Sequence, residues 1–367
     1  MIYKFEKILK DKIIISLLIL AIINIFVCFY IRGPIVPGGD SVSYFEAARF
    51  LKGDDMGGDL DFSIIYNRLL TAPLFISLIG ILGSVFGIYN SMLLVNIFFY
   101  LGLVLSFYFL ALEVLENKKI AFFSSWFIFL NYGIINFGIA HLTDIGGWAF
   151  FVLSSFLAVR YFKRKEKKDY WWAILFSIFG VFLKEYGGLG MISLILLIIF
   201  SEKNKKEKIK ECFISIFVFS LVLGFYHYFF YTLFHYSYFN WYQFNINYYL
   251  SDSVIRESSY SLILLGKVLG WLFLGGWPIF VFGLWKILKE KWNKEGVIFL
   301  ALLPASLSFL AWPVMTQRIA FVLIPWLALV SGFGLSKIKS NLAIVLILIF
   351  YGVLGYSTNY LMGIINL

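Results

Sequence analysis

Residues 72–88 read APLFISLIGILGSVFGI, and this stretch decides the topology of the whole chain. It is apolar enough to enter a membrane, but it is shorter than the roughly twenty residues that a helix needs to cross a hydrocarbon layer of about 30 Å. Pro73, Gly80, Gly83 and Gly87 also interrupt it. We therefore expect this stretch to lie in the membrane interface, or to dip into the membrane and return.

The composition makes lipid the solvent for most of the chain. Of the 367 residues, 61% are hydrophobic and 14% are charged, whereas about a quarter of the residues are charged in soluble domains. Runs such as 13–31, 213–231 and 343–361 have the length of a membrane-spanning helix. The first run lacks a small-residue cleavage site near its end, which favours a retained helix over a signal peptide.

The lysines indicate which side of the membrane each loop faces. They fall in six clusters between apolar runs, at 4–12, 118–119, 163–168, 203–210, 286–294 and 337–339. Short basic loops stay in the cytoplasm, so an even number of crossings must separate neighbouring clusters. Three apolar runs, 13–31, 72–88 and 91–114, lie between the first two clusters. One of them must fail to cross, and 72–88 is the shortest and most interrupted.

This parity predicts an all-α, polytopic transmembrane bundle of about eleven spans, forming one integral membrane domain over residues 1–367. The remaining predicted spans are 120–138, 145–162, 170–183, 187–201, 212–232, 262–286, 297–313, 319–335 and 341–363. The predicted regions are a cytoplasmic N-terminus (1–12), an outer loop with juxtamembrane helices (32–90), core helices (91–232), an aromatic outer loop (233–261) and C-terminal helices (262–367).

The same topology sorts the charges. The clustered lysines face the cytoplasm, whereas ten of the 21 acids and five of the arginines face outward, as a site for sugar and phosphate requires. The net charge of +10 comes from the short cytoplasmic clusters and not from a basic stripe on a soluble domain, so no nucleic-acid partner is predicted. Cys28 and Cys212 lie in or beside apolar runs, which favours buried thiols over a disulfide.

Two outward acids each begin a helix. Asp40 follows the first span and starts a juxtamembrane helix, and Asp144 lies in a short turn just before an apolar run. Each carboxylate could simply cap its helix. Alternatively, Asp40 is well placed to take a proton from an incoming hydroxyl, and Asp144 to be a second acid beside the same cavity.

Basic groups near the outer surface are candidates for binding an anion. The helix before Lys184 and Glu185 has about fourteen residues, or roughly 20 Å, so the two charges should sit below the outer surface, either as a buried ion pair or in a polar cavity. Arg318 lies in a short outer turn, where it could reach lipid headgroups or grip the phosphate of a lipid-linked substrate.

Two further loops have weaker signals. Asp59 and Asp61, following Asp54 and Asp55, could bind a divalent cation through carboxylate oxygens, although acidic glycine-containing loops are common. The loop 233–261 is rich in aromatic residues, which typically anchor a protein at the membrane interface and can also pack against a sugar.

The order of these elements resembles the GT-C superfamily of membrane glycosyltransferases, which use polyprenyl-phosphate or polyprenyl-diphosphate sugars. The matching motifs are Asp40 with Tyr44 and Ala48, Asn67-Arg68 with Ala72-Pro73-Leu74, Thr143-Asp144, Leu183-Lys184-Glu185, and Arg318 with Leu323-Ile324-Pro325 and Gly332. Each motif is short and loose, so the resemblance depends on their order and sidedness over about residues 13–335.

The resemblance implies a function and roles for individual residues. Asp40 would activate or orient the acceptor, Asp144 would be a second acidic site, and Lys184, Arg318 and Arg68 would hold the donor phosphate. We further expect Tyr44, Glu185 and His141 to contact substrate. The chain lacks the large soluble C-terminal domain and the WWD signature of oligosaccharyltransferases. Transfer of one sugar to a lipid, glycan or protein acceptor is therefore favoured.

A transporter or flippase of lipid-linked sugar is the main alternative, since charges such as Lys184, Glu185 and Lys267 could line a pathway. Against it, the sequence shows no paired broken helices of the kind found in inverted-repeat transporters. A purely structural membrane scaffold does not explain why carboxylates and arginines concentrate opposite the lysines.

Overall fold

A computed structural model describes residues 11–32, 40–54, 62–251, 262–290, 294–311 and 317–365. Every regular element in these ranges is helical, which confirms the predicted all-α class. The α-helices are α1 (Lys12–Arg32), α2 (Asp40–Lys52), α3 (Phe62–Thr71), α4 (Pro73–Phe86), α5 (Ile88–Leu115), α6 (Lys118–Phe129), α7 (Tyr132–Gly138), α8 (Asp144–Arg164), α9 (Lys167–Leu183), α10 (Gly190–Phe200), α11 (Lys205–Phe234), α12 (Tyr238–Ser251), α13 (Leu262–Leu272), α14 (Trp277–Lys289), α15 (Lys294–Ser306), α16 (Gln317–Ala320), α17 (Ile324–Ser336) and α18 (Asn341–Ile365).

Between six and nine stretches of the described chain are long and apolar enough to cross a membrane, which makes it a multi-pass membrane protein. Six are single helical stretches: Lys12–Ile31, Ile88–Leu115, Asp144–Arg164, Lys205–Phe234, Arg318–Ser336 and Asn341–Thr358. Three more are bent pairs: α3 with α4, α6 with α7, and residues 265–272 with 274–289. The predicted spans at 170–183, 187–201 and 297–313 form shorter helices, so the total of about eleven stays a prediction.

The stretch 72–88 contains α4, which is sharply turned from the helix before it. The axes of α3 and α4 differ by 106°, and Pro73 begins α4 because a proline at the first helical position loses no backbone hydrogen bond. The 14 residues of α4 rise only about 21 Å. Gly87 then ends the helix with a φ of 76°, a conformation that favours glycine. α4 therefore lacks the length for a full crossing.

Packing of α1 against α5 tests the parity argument directly. The Nζ atom of Lys118, just after α5, lies 2.8 Å from a carboxylate oxygen of Asp11, just before α1. Further along, the Asn24 side chain lies 3.5 Å from the Tyr100 hydroxyl. The two helices are thus antiparallel, and their lysine-bearing ends meet. The end of α1 and the start of α5 therefore lie at the same end of the bundle, and the chain between them begins and finishes there.

Other basic clusters join the same network of ion pairs. Arg164 at the end of α8 binds Glu113 at 2.6 Å, and Glu211 in α11 binds Lys167 at 2.6 Å and Lys203 at 2.7 Å. Four of the six predicted clusters are therefore linked at one end of the bundle, which we call the lysine-rich end. A separate pair, Lys337 with Glu290 at 2.8 Å, joins the last two clusters to each other.

Two helices are broken where the sequence predicted continuous spans. α6 and α7 meet at a bend of 55°, and the stretch containing α13 and α14 bends by 66°. The Asn131 side chain caps α7 and donates to the Leu272 carbonyl at 3.0 Å and to the Tyr351 hydroxyl at 2.7 Å. Broken helices are therefore present in the described chain, and side chains distant in sequence pair with backbone groups freed at these breaks.

Helix α8 lies at the centre of the bundle and α11 at its edge. In α8, 72% of the apolar window is buried, against 11% in α11. α8 runs from Asp144 to the lysine-rich end, a rise of about 31 Å. Asp144 therefore lies at the end of the bundle opposite the lysines.

Cysteine labelling can test this sidedness in cells. In a variant carrying Cys28→Ser and Cys212→Ser, single cysteines at the exposed positions Lys52 and Asn90 should both react with a membrane-impermeant maleimide from outside. A cysteine at Lys206, which is exposed at the lysine-rich end, should react only after permeabilisation. Labelling of Lys52 and Asn90 positions from opposite sides of the membrane would contradict the topology.

Candidate functional site

Six charged side chains from five parts of the chain meet opposite the lysine-rich end. Asp40 is the first residue of α2 and Asp144 the first residue of α8, so each carboxylate lies at a helix N-terminus, where negative charge is favoured. Arg68 comes from α3 and Arg318 from α16. We call the group of Asp40, Arg68, Asp144, Lys184, Glu185 and Arg318 the charged cluster.

The carboxylate of Asp40 bridges two arginines. One oxygen lies 2.6 Å from Arg68 Nη2, and the other lies 3.0 Å from Arg318 Nη1. Burial raises the pKa of the Asp40 carboxyl, but the positive charges of Arg68, Arg318 and Lys184 outweigh burial and lower that pKa to about 2. Asp40 is therefore ionised at any physiological pH.

Asp144 is the deeply buried carboxylate of the charged cluster, with 2% of its side chain exposed. Arg318 Nε lies 3.6 Å from Asp144 Oδ1, and the Tyr186 hydroxyl donates a hydrogen bond to the same oxygen. The Tyr186 ring stacks on Trp148, one turn further along α8. Arg318 thus connects Asp40 to Asp144 through two different nitrogen atoms of one guanidinium group.

Tyr44 holds two of the basic groups together. Its hydroxyl accepts hydrogen bonds from Lys184 Nζ and from Arg68 Nη1, each at 3.4 Å. It also pairs with the Thr143 hydroxyl at 3.1 Å. The Arg68 guanidinium lies 4.6 Å from the centre of the Tyr44 ring, within cation–π distance. With only 1% of its surface exposed, Tyr44 supports the charged cluster from behind.

A tight turn after α9 places Lys184 and Glu185. α9 begins at Lys167, three residues earlier than predicted, because Asp169 in its first turn is held by Arg160 at 2.8 Å. The helix therefore has 17 residues rather than about fourteen. Lys184 Nζ lies 3.3 Å from Glu185 Oε2, and only 7% of Lys184 is exposed. Of the two alternatives, a buried ion pair and a polar cavity, these contacts correspond to the buried ion pair.

Glycines allow this turn to fold back against α9. A Cβ atom on Gly187 would lie 2.4 Å from the Gly180 carbonyl carbon and oxygen, and one on Gly180 would lie 2.5 Å from the Gly187 oxygen. Real Cβ atoms do not approach so closely, and the obstructing atoms are backbone. The close contact between the two glycines therefore positions Lys184, Glu185 and Tyr186.

Alanine at Gly187 should consequently destabilise the protein. We expect a cost of about 1–3 kcal/mol from overpacking, seen as a lower thermal midpoint in detergent. Gly102→Ala in α5 is the matched control, because a Cβ atom there meets nothing within 4 Å. That control should be neutral or stabilising, since alanine favours helix formation over glycine. Equal midpoints for the two variants would contradict the role of the glycine contact.

The charged cluster contains three carboxylates and three basic groups, so it carries no net charge when all six are ionised. The basic groups converge at the end of the bundle opposite the lysines, where about a third of Asp40 (35%) and of Arg318 (30%) is exposed. Guanidinium and ammonium groups in this arrangement suit a phosphate or carboxylate ligand. A carboxylate beside them can accept a proton or orient a hydroxyl.

Seven of the eight site residues selected from sequence meet here: the charged cluster and Tyr44. His141 is 1% exposed, and its ring packs 4.0 Å from Tyr89 and 5.5 Å from Phe45, measured between ring centres. The expected substrate contact of His141 therefore lacks an open surface in this state.

Of the acidic residues Asp54, Asp55, Asp59 and Asp61, the structure describes Asp54, and the other three lie in the gap between the described residues Asp54 and Phe62. Asp54 itself pairs with Lys52 at 3.4 Å and Arg49 at 3.8 Å. Within the ranges that the structure describes, no group of three or more histidine, cysteine or acidic residues is placed to hold a metal ion. The suggested divalent cation at Asp59 and Asp61 stays a prediction.

Sequence reasoning missed Ser43 and Tyr186. The Ser43 hydroxyl accepts from Arg68 Nε at 2.8 Å, and it stands three residues after Asp40, on the same face of α2. That spacing was a readable signal. Tyr186 offered none, because its contact with Asp144 depends on how the turn after α9 packs onto α8.

A scan against protein-family models gives no match to this chain, and a search of curated proteins gives none either. The structure by itself defines the class: an all-α, multi-pass membrane protein with a compact charged cluster opposite its lysine-rich end.

Proposed function

We propose that this protein is a glycosyltransferase of the cell membrane that moves a single sugar from a polyprenyl-phosphate donor to an acceptor on the non-cytoplasmic face. The observation that supports this most strongly is the charged cluster, in which Arg68, Lys184 and Arg318 converge around the carboxylate of Asp40. The GT-C resemblance assigns the same residues to donor phosphate and acceptor.

In the proposed reaction, the acceptor oxygen forms a bond to the anomeric carbon of the sugar while the bond from that carbon to the phosphate oxygen breaks. The phosphate leaves on the lipid, and its charge is stabilised by Arg68, Arg318 and Lys184. Asp40 takes the proton of the acceptor hydroxyl. Attack from the face opposite the leaving phosphate inverts the anomeric configuration.

An apolar groove beside the charged cluster suits the lipid part of such a donor. The groove has a volume of about 460 Å³ and is lined by Phe182, Leu221, Val222, Phe225, Tyr226 and Phe229. Phe182 stands two residues before Lys184, and the Tyr226 hydroxyl donates to the carbonyl of Leu69, next to Arg68. The groove lies on the weakly buried helix α11, so an isoprenoid chain could enter it from the bilayer.

The proposed sidedness follows from the lysines. Basic short loops stay in the cytoplasm, so the lysine-rich end faces the cytoplasm and the charged cluster faces outward. If α4 does not cross the membrane, the predicted total is about eleven spans. Because this number is odd and the N-terminus is cytoplasmic, the C-terminus lies outside. α12 carries Phe239 and Tyr242 exposed, as suits an interfacial helix next to the donor.

The test is transfer of label. Right-side-out vesicles containing the protein, which expose the non-cytoplasmic face, are given a radiolabelled polyprenyl-phosphate sugar together with a membrane extract that supplies lipid, glycan and protein acceptors. A glycosyltransferase makes a new labelled glycoside and releases the polyprenyl phosphate. If all label stays on intact donor under conditions where the folded protein binds that donor, the proposed activity is wrong.

Transport of a lipid-linked sugar is the second candidate, favoured by the two broken helices joined through Asn131 and Leu272. In transporters such breaks expose backbone groups to substrate or ions. Here Asn131 binds the Leu272 carbonyl and the Tyr351 hydroxyl, which in turn donates to the Phe127 carbonyl at 3.1 Å. The freed groups are paired within the protein, which supports a structural role for this junction. The vesicle test separates the two functions, since a flippase only moves intact label.

A further inference from the structure

We propose that Asp40 occupies, in the ligand-free protein, the position that the donor phosphate takes on binding, so that the donor displaces Asp40 before an acceptor can use it. This inference rests on the proposed function for the identity of the ligand, a phosphate carried by an isoprenoid lipid. It adds an order of binding, donor first and acceptor second, and a second role for Asp40.

The geometry of Asp40 is that of a bound anion. Its two oxygens lie 2.6 Å from Arg68 Nη2 and 3.0 Å from Arg318 Nη1. Two oxygens of a phosphate make the same kind of contacts with a pair of arginines. The Ser43 hydroxyl fixes Arg68 from behind through Nε, at 2.8 Å, so Arg68 stays in place when its partner changes.

Charge balance favours a phosphate that replaces one of the carboxylates as the partner of the basic groups. Each basic group of the charged cluster already has a carboxylate within 4 Å: Arg68 has Asp40, Arg318 has Asp40 and Asp144, and Lys184 has Glu185. With all six groups ionised the charged cluster is neutral, so an added phosphate would place excess negative charge in a partly buried site, which is unfavourable. A phosphate that replaces Asp40 keeps both arginines paired.

Among the three carboxylates, Asp40 is the one free to move. Its side chain is 35% exposed, compared with 2% for Asp144 and 17% for Glu185. Asp144 is also held by the Tyr186 hydroxyl. The Asp40 backbone can stay fixed while its side chain changes rotamer, since its carbonyl accepts from Ser43 Oγ at 2.7 Å.

Displacement also prepares Asp40 for the acceptor. While paired with two arginines, the carboxylate is a weak base. Once the phosphate takes those arginines, Asp40 loses the positive charges that suppress its basicity and gains the negative charge of the phosphate nearby. Donor binding therefore converts Asp40 from an ion-pair partner into a proton acceptor, and an acceptor that arrives first finds it engaged.

The experiment measures binding, without turnover. The affinity of the purified, full-length protein for farnesyl phosphate, inorganic phosphate and farnesol is compared between wild type and Asp40→Asn. The matched control is Asp54→Asn, which removes an equal charge from the far end of α2, where Asp54 pairs with Arg49 and Lys52. Asp40→Ser is a second variant that keeps a polar residue suited to the start of α2.

We expect Asp40→Asn and Asp40→Ser to bind farnesyl phosphate roughly tenfold more tightly than wild type, because the internal competitor is gone. Asp54→Asn should bind like wild type, and farnesol should bind all four proteins equally. Tightening for inorganic phosphate as well would assign the effect to the phosphate alone, whereas tightening for farnesyl phosphate only would assign it to a lipid-borne phosphate.

Unchanged or weaker binding in both Asp40 variants would overturn the proposal, and so would a wild-type protein that binds no phosphate. Tighter binding by Asp54→Asn to the same extent would also overturn it, because the effect would then be one of general charge. If the Asp40 variants bind farnesyl phosphate more tightly but the wild-type protein makes no glycoside, this inference is supported and the proposed activity is contradicted.

Discussion

Asp40→Asn is expected to lower turnover by about 10²- to 10⁴-fold, the typical contribution of a positioned proton acceptor. Asparagine keeps the shape of the side chain and can still cap α2. It cannot accept the acceptor proton, and it no longer pairs with Arg68 and Arg318. The loss should appear in kcat and not as a raised KM for the donor, which distinguishes it from a binding defect.

The measurement is single-sugar transfer by wild type, Asp40→Asn and Asp54→Asn, with size-exclusion profiles showing that all three fold. Asp54→Asn should retain wild-type turnover. Near-normal turnover by Asp40→Asn would remove Asp40 from the role of proton acceptor. If its kcat is unchanged while its affinity for the donor rises, Asp40 is only the internal competitor for the phosphate.

The low pKa of Asp40 also makes a prediction about pH. Its folded-state pKa of about 2 is below the ordinary aspartate pKa of 3.8, so the carboxylate stays ionised in the folded protein until the pH falls through about 2. A profile of kcat/KM reports on the free enzyme. Asp40 should therefore cause no acid limb in that profile at any pH above about 4, and such a limb must come from another group.

Residue patterns predicted well which end of the bundle each loop occupies, because span length and loop charge are properties of each segment by itself. Span length and lysine position were enough to group Asp40, Asp144, Lys184 and Arg318 at one end, and the Asp11–Lys118 contact agrees with the predicted parity. The sequence also indicated that 72–88 does not cross, from its length and its glycines.

Contacts between distant residues escaped this reasoning. The break after α6 lacks a proline, and it depends on Asn131 reaching Tyr351, 220 residues away. Likewise, Tyr186 meets Asp144 because Gly180 and Gly187 touch, a fact that only the folded backbone shows. Short helical stretches were also hard to bound: α9 begins three residues early since an ion pair with Arg160 makes its charged first turn favourable.

Removing the side chain of Arg318 should have the largest combined effect on stability and activity. Arg318→Ala leaves Asp144 buried without its cation, and breaking a buried ion pair in this way costs about 3–5 kcal/mol. It also removes a phosphate contact, so we expect kcat/KM to fall by about 10²- to 10³-fold. Arg318→Lys keeps the charge, but one ammonium group cannot reach both Asp40 and Asp144 as the guanidinium does.

Thermal midpoints and kcat/KM together separate the two roles of Arg318. The lysine variant should be nearly as stable as wild type yet should lose much of its activity, while Arg49→Lys, at the exposed pair with Asp54, should change neither. Combining Arg318→Ala with Asp144→Asn should recover much of the lost stability, because neither buried charge remains. Activity should not return with it, since the donor phosphate still lacks its arginine. Recovery of both would mean that Arg318 serves only to neutralise Asp144.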